Sequence, residues 1–225
     1  MEKADFGHHI LSRYNEDLER LRSDVLRMGG LAEAQLQRAL AALASRDGEL
    51  AGEVLREESR LNQMEIDVDE ECMRILATRA PAASDLRLVV AIVKTITDLE
   101  RIGDEARKIA NISTRHGGLE RGGGGDGFRI VRHVGRVAQE LLHSALDVFA
   151  RLDAPAALEA VKRDRLLDEE YDAVQRQCIT FMIEDPRTIR PAIDLLWVAR
   201  ALERVGDHAK NICEYVIYMV HGTDV

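Results

Sequence analysis

One phrase occurs twice in this chain and limits the folds open to it. "DLERIGDEA" spans Asp98–Ala106, and "ALERVGDHA" spans Ala201–Ala209. A shift of 103 positions lays Leu99 on Leu202, Glu100 on Glu203, Arg101 on Arg204, Gly103 on Gly206, Asp104 on Asp207, Ala106 on Ala209 and Ile109 on Ile212. The preceding segments pair as well, "EECMRIL" with "QRQCITF", which sets Cys72 over Cys178. A sequence that repeats itself at half its length is built from two copies of one structural unit. Between the copies lies "RHGGLERGGGGDG", Arg115–Gly127. Each glycine costs a helix interior about 1 kcal/mol, so this stretch reads as a linker. The expected division is therefore a first repeat over 1–114, a Gly-rich linker over 115–127 and a second repeat over 128–225.

Each half reads as three helices. Leu18, Leu21, Val25, Met28, Leu36, Leu40 and Leu43 keep a helical period. Met28–Gly30 is a point where that helix is expected to kink. Asp47 suits the N-cap of a second helix, Gly48 to about Thr78. Pro81 marks its end, and Ser84 suits the cap of a third helix reaching Thr114, with Asp85 at its favourable positive end. The second half follows the same plan. Its helices run from Phe128 to Leu152, from Ala154 to Ile183 under an Asp153 cap, and to about His221 after the Asp185-Pro186 start signal. Aromatics make up 4% of the chain and no segment alternates at period two, so no strand is expected. The expected fold is all-α, two pseudo-symmetric three-helix bundles.

The chain carries a net charge of −9 and no basic block, which argues against nucleic-acid binding. Cys72, Cys178 and Cys213 lie far apart in apolar-periodic segments, without zinc-ligand spacing, and read as small core residues. The start "MEKADFGHHI" has no apolar run of a signal peptide, and no stretch of about 18 apolar residues exists. A reducing, cytoplasmic setting is expected.

On a helix wheel with Glu100 at zero, Asp104 falls at about 40° and Asn111 at about 20°, while Leu99, Ile102, Ala106 and Ile109 fall between about 180° and 260°. The acids thus lie opposite the core stripe, and Glu203, Asp207 and Glu214 form the matching line in the second copy. Like charges four residues apart destabilise a helix by a few tenths of a kcal/mol. Lys108 is expected to reach Asp104, and Arg200 to reach Glu203. A glycine at the same helical site in both copies, Gly103 and Gly206, marks the close approach of a neighbouring helix or a ligand. From spacing alone three readings stay open: a solvated or salt-bridged face, an all-oxygen metal site, and a protein-partner surface.

The phrases "ERIGDEARKIAN" and "ERVGDHAKNICE" resemble the doubled acidic hallmark of the PhoU family. "LRSDVLRMGGLAEAQLQRAL", "LNQMEIDVDEECMRILATRAPAASDLR" and "MIEDPRTI" are similar to further phrases of that family, in order, so the resemblance covers nearly the whole chain except the linker. It implies multinuclear metal sites of iron or zinc type on the acidic faces, with manganese or magnesium as the other ions that carboxylates would take. Carried over residue by residue, the ligands are Glu100 and Asp104 in the first half, and Glu203 and Asp207 with Glu214 in the second. Lys108 and Asn111 stand where the second copy has Asn211 and Glu214, and Glu105 stands where it has His208, so the second site is the fuller match. Asp168 and Asp172, on the preceding helix, are candidates for further acids. The resemblance also implies a non-catalytic adaptor, peripheral to the membrane through its partners: the ATPase subunit of a phosphate ABC transporter and a sensor histidine kinase. It would hold the phosphate-starvation response off when phosphate is plentiful. A homodimer is the expected assembly.

Two rivals remain in view. A di-metal carboxylate enzyme needs paired Glu-x-x-His motifs. One such motif is present, Glu140 with His143, and it lies outside the repeat. "GGGGDG" lacks the Lys-Ser/Thr of a phosphate loop, and His8-His9 reads as a solvated pair. A purely structural helical dimerisation module would share the fold without needing the repeated acids. Asp85 and Arg87 are also candidates for a partner contact, since ordered loops often carry binding.

Overall fold

A computed structural model describes residues 3–79, 81, 84–114 and 124–223, with the side-chain surroundings of 3–13, 58 and 124–128 outside the description. The described elements are α1 (Lys3–Ser45), α2 (Gly48–Arg79), α3 (Ser84–Ser113), α4 (Gly124–Arg151), α5 (Ala154–Glu184) and α6 (Ile189–His221), and a single 3₁₀ turn, Pro186–Thr188, leads into α6. No strand occurs among the described residues. The chain forms two three-helix bundles, α1–α3 and α4–α6.

Local chemistry sets the helix ends. Asp47 Oδ1 accepts from the backbone N–H groups of Glu49 and Leu50, at 2.9 and 3.1 Å. Asp153 Oδ1 accepts from Ala156 N at 3.0 Å. Each cap satisfies donors that a helix start leaves free. The residues ahead of these caps, Arg46 and Leu152, both take the left-handed conformation, φ 58° and 53°. Thus the same tight turn is made twice, at equivalent places in the repeat.

Four helices close a ring around a continuous core: α1 packs on α3, α3 on α6, α6 on α4, and α4 on α1. α2 lies outside against α1 and α3, and α5 lies outside against α4 and α6. The repeat is thus visible as two inner pairs, each with one outer helix.

α1 runs unbroken through Met28–Gly30, and a Cβ on Gly29 would overlap Leu146 of α4. Three expectations need correction. α4 begins at Gly124, inside the stretch read as linker, since a helix end tolerates low-propensity residues better than its interior; residues 115–123 lie outside the description. Asp185 does not open α6 directly. Its Oδ1 accepts from Arg187 N at 3.0 Å and starts the 3₁₀ turn, whose Thr188 hydroxyl donates to Phe181 O at 2.7 Å. Ser84 is the first residue of α3 rather than a residue before it, and its Oγ lies 3.4 Å from Asp85 Oδ1.

The α3–α6 contact carries buried charge that an apolar-stripe analysis does not foresee. Asp98 is buried and its Oδ1 lies 2.7 Å from His208 Nδ1 and 3.2 Å from Asn211 Nδ2, both on α6. The Tyr215 hydroxyl also bonds Asp98; burial raises its pKa first, and the Asp98 charge adds to that. Glu105, at 2% side-chain exposure, accepts from Arg204 Nε at 2.6 Å and from Lys108 Nζ at 2.9 Å. Buried carboxylates persist only with such partners.

Candidate functional site

The two acidic phrases sit at equivalent places, each where an inner helix meets its outer neighbour. Gly103 and Gly206 explain how that contact becomes close. A Cβ on Gly103 would lie 3.1 Å from both Leu61 of α2 and Gln35 of α1. On Gly206 it would overlap Leu167 of α5. Of the two readings open from sequence, a neighbouring helix accounts for both glycines.

Because of that approach the two glutamates are not on an open face, while Asp207 stays exposed. Glu100 and Glu203 are both half-buried, and the Glu203 side chain keeps only 12% of its exposure. Burial raises the Glu100 pKa, and the charges of Asp104 and of Glu65 on α2 add to it. Burial likewise raises the Glu203 pKa, followed by Asp207 and by Asp168 on α5. Asp164, a buried residue of α5, is raised by burial, Asp168 and Asp207, with Lys210 Nζ at 3.6 Å pulling the other way. Each site therefore draws acids from two helices.

The neutralisers differ from expectation in one copy. Lys108 does not reach Asp104; it turns to the more deeply buried Glu105, and Arg107 Nη2 serves Asp104 at 3.1 Å. Arg200 does reach Glu203, at 2.7 Å, while its guanidinium lies 5.7 Å from the centre of the Tyr171 ring. The second oxygen, Glu203 Oε2, is buried and has no hydrogen-bond partner.

As the side chains stand, no three His, Cys, Asp or Glu residues among those described converge on one point that could hold an ion. The donor chemistry nonetheless fits a hard cation: clustered carboxylates, three of them with raised pKa, and one orphaned buried oxygen. Glu203, Asp207, Asp168 and Asp164 lie close enough to influence one another. Glu214 is half-buried two turns beyond Asp207, and no described contact joins it to Glu203 or Asp207. Asp172 is exposed on α5, with no described contact to the acids of α6. Asp164 and Glu65 were missed from sequence. Asp164 continues the i,i+4 ladder of Asp168 and Asp172 by one turn, which was a usable signal. Glu65 had none, since Tyr171 holds its place in the second repeat.

Elsewhere, Glu140 pairs with Arg136 at 2.7 Å while His143 Nδ1 lies 2.9 Å from Glu33, so the isolated Glu-x-x-His does not converge. The side chains of His8 and His9 lie outside the description. The three cysteines are free and buried, and burial pushes the Cys72 and Cys213 thiols up to about 12 and Cys178 to about 11.

Residues 25–113 and 131–216 each match the PhoU domain. This chain belongs to the PhoU family. Over 223 residues it is 48% identical to the phosphate-specific transport system accessory protein PhoU homolog of Pseudomonas aeruginosa, covering 99% of this chain and 91% of that one. It is 41% identical to the phosphate-specific transport system accessory protein PhoU of Escherichia coli K12, covering all of this chain and 92% of that one. The crystal structure of PhoU from Pseudomonas aeruginosa overlays with a TM-score of 0.88 at 47% identity, over 93% of this chain and 100% of the other. The two matched PhoU segments take in both copies of the acidic phrase.

Proposed function

We propose that this chain is a non-catalytic accessory regulator of phosphate uptake. It acts as an adaptor between a phosphate ABC transporter, through the ATPase subunit, and a sensor histidine kinase, and it represses the starvation response when phosphate is plentiful. The observation that carries this is the near full-length similarity, at 48% identity, to a protein named for accessory work in phosphate-specific transport. The two-bundle helical body suits a binding protein. Among the described residues no helix is long and apolar enough to cross a membrane, in keeping with an adaptor that reaches the cytoplasmic membrane face through its partners. A homodimer in the cytoplasm is part of the proposal.

Glu203 and Asp207, with Glu214 assisting, hold metal at the α5–α6 contact, and Glu100 and Asp104 do so less completely at the α2–α3 contact. Iron, zinc, manganese and magnesium are the ions in question. Bound metal would supply positive charge where carboxylates crowd, fixing each outer helix to its inner neighbour. Deleting the gene and following a phosphate-starvation reporter in high phosphate tests the regulatory claim. Constitutive expression, restored to repression by the intact gene, is expected; an unchanged reporter contradicts it.

A further inference from the structure

Two places related by the repeat lie on either side of the α3–α6 contact. On one side, Lys94 Nζ lies over the rings of Tyr215 and Tyr218, at 5.3 and 5.9 Å from their centres. The shift of 103 positions carries Lys94 to Trp197 and Ile112 to Tyr215. At that second place no pair of rings among the described residues takes the same part. Ile112, Thr114 and Trp197 instead border a cavity of about 740 Å³. Trp197 is the only tryptophan of the chain and is 61% exposed.

Lys108, Arg200 and Arg204 line the cavity, against a single acid, Glu105. Lys108 and Arg204 share the buried Glu105 and Arg200 pairs with Glu203, so the three cations outnumber their acids by one and the two guanidiniums keep N–H donors for a further carboxylate, in a protein of net charge −9. Beyond the cavity, Ile189, Ile193 and Trp197 follow at steps of four along α6, all exposed. They make an apolar ridge about 12 Å long within an arc of about 80°. The equivalent places on α3 hold Leu86, Val90 and Lys94, so the ridge ends in a charge there and in a tryptophan here. Large apolar residues lined up on a surface mark contacts, and tryptophan and arginine carry much of the energy of such contacts.

We propose that the cleft and ridge form a docking groove for an acidic amphipathic segment of a partner protein. Its carboxylates meet Lys108, Arg200 and Arg204, and its large apolar side chains seat on Trp197, Ile193 and Ile189. A small anion would use the cleft and leave the ridge bare; the ridge continues the surface for two helical turns, which suits an elongated segment. The cations line a concavity, whereas a membrane surface would be met by a flat array. This deepens the adaptor reading by naming one contact surface and the chemistry it selects.

The test uses the sole tryptophan as reporter on the full chain. The probe is a short synthetic amphipathic helix with Glu on one face and Leu and Phe on the other, compared with its Lys-for-Glu counterpart and with vesicles of phosphatidylglycerol. The acidic peptide is expected to shift Trp197 emission to the blue with an affinity that falls as salt rises, and the basic counterpart is expected to do nothing. Exposed Trp197 and Ile193 can be changed without disturbing the core, so Trp197→Ala and Ile193→Ser, followed by calorimetry, should each weaken the peptide by about tenfold or more. Lys108→Ala should flatten the salt dependence. Equal binding by these variants, no binding by the wild type, or vesicle binding in place of peptide binding overturns the proposal. If the deletion strain leaves the reporter unchanged while the peptide still binds through Trp197, the phosphate role fails and the groove stands.

Discussion

The α3 and α6 copies of the acidic phrase share a helix register and differ in what surrounds them. At α3, Arg107 pairs with Asp104, and one acid from α2, Glu65, adds to the crowding. At α6, Asp207 stays exposed, two acids of α5 crowd in, and one oxygen of Glu203 is buried without a partner. The repeat thus preserved the backbone and let the charges drift: the second copy gathers four carboxylates against three at α3 and leaves one oxygen without a partner, while Arg200 and Lys210 offset part of the added charge. Along the facing sides of the same helices the drift produced complementarity: Asp98 stands opposite His208, and Glu105 opposite Arg204.

That complementarity predicts the largest stability effect. Asp98→Ala strands His208, Asn211 and Tyr215 in the seam and should cost about 3 kcal/mol by urea unfolding. Glu105→Ala should cost about 1 kcal/mol, because Arg204 and Lys108 can turn to water. Equal costs would break the distinction between a closed and an open pair.

Gly206→Ala and Gly103→Ala sharpen the comparison next. An added methyl at Gly206 overlaps buried Leu167 and should lower stability by about 2 kcal/mol. At Gly103 the contacts are 3.1 Å, and the gain in helix propensity, about 1 kcal/mol, should nearly cancel the crowding.

A smaller effect concerns pH. The carboxyls of Glu100, Glu203 and Asp164 are raised in the folded state, so the fold holds their protons more tightly than the unfolded chain does. Their contribution is therefore favourable at low pH and is lost as pH rises through the raised values. Metal-free protein should melt lower at about pH 7 than at about pH 5, and Glu203→Gln should flatten that slope more than Glu100→Gln. A slope of opposite sign, or one unaffected by either variant, would contradict the crowding.

The smallest prediction contrasts the two left-handed turns. Arg46 is exposed, so Arg46→Gly should relieve about 1 kcal/mol of backbone strain, less what its side-chain interaction contributes. Leu152 packs against the core, so Leu152→Gly should bring no gain.

Much of this was legible from sequence for a physical reason. Helical period, caps at Asp47 and Asp153, and the doubled phrase are local signals, and local signals fixed the six helices. The partners of charges are not local. Lys108 stands between Asp104 and Glu105, and only the position of α6 decides which it meets. Asp98 and Glu105 looked like ordinary polar positions because the wheel of one helix shows a single buried stripe, whereas α3 touches three neighbours. Asp164 belonged to a visible ladder, yet its burial depends on Gly206 drawing α5 close.

Metal binding at the doubled phrase is the central claim, and a thermal-shift titration paired with elemental analysis tests it most directly. Purified protein should carry iron, zinc, manganese or magnesium, and a metal at a hundredfold excess over its Kd should stabilise it by about 2.7 kcal/mol. Replacing Glu203 and Asp207 together by Gln and Asn should abolish most of that gain with helicity unchanged, while the same change at Glu100 and Asp104 should remove less. Protein without metal whose melting temperature ignores all four ions would contradict the account, as would a larger loss from the α3 pair than from the α6 pair.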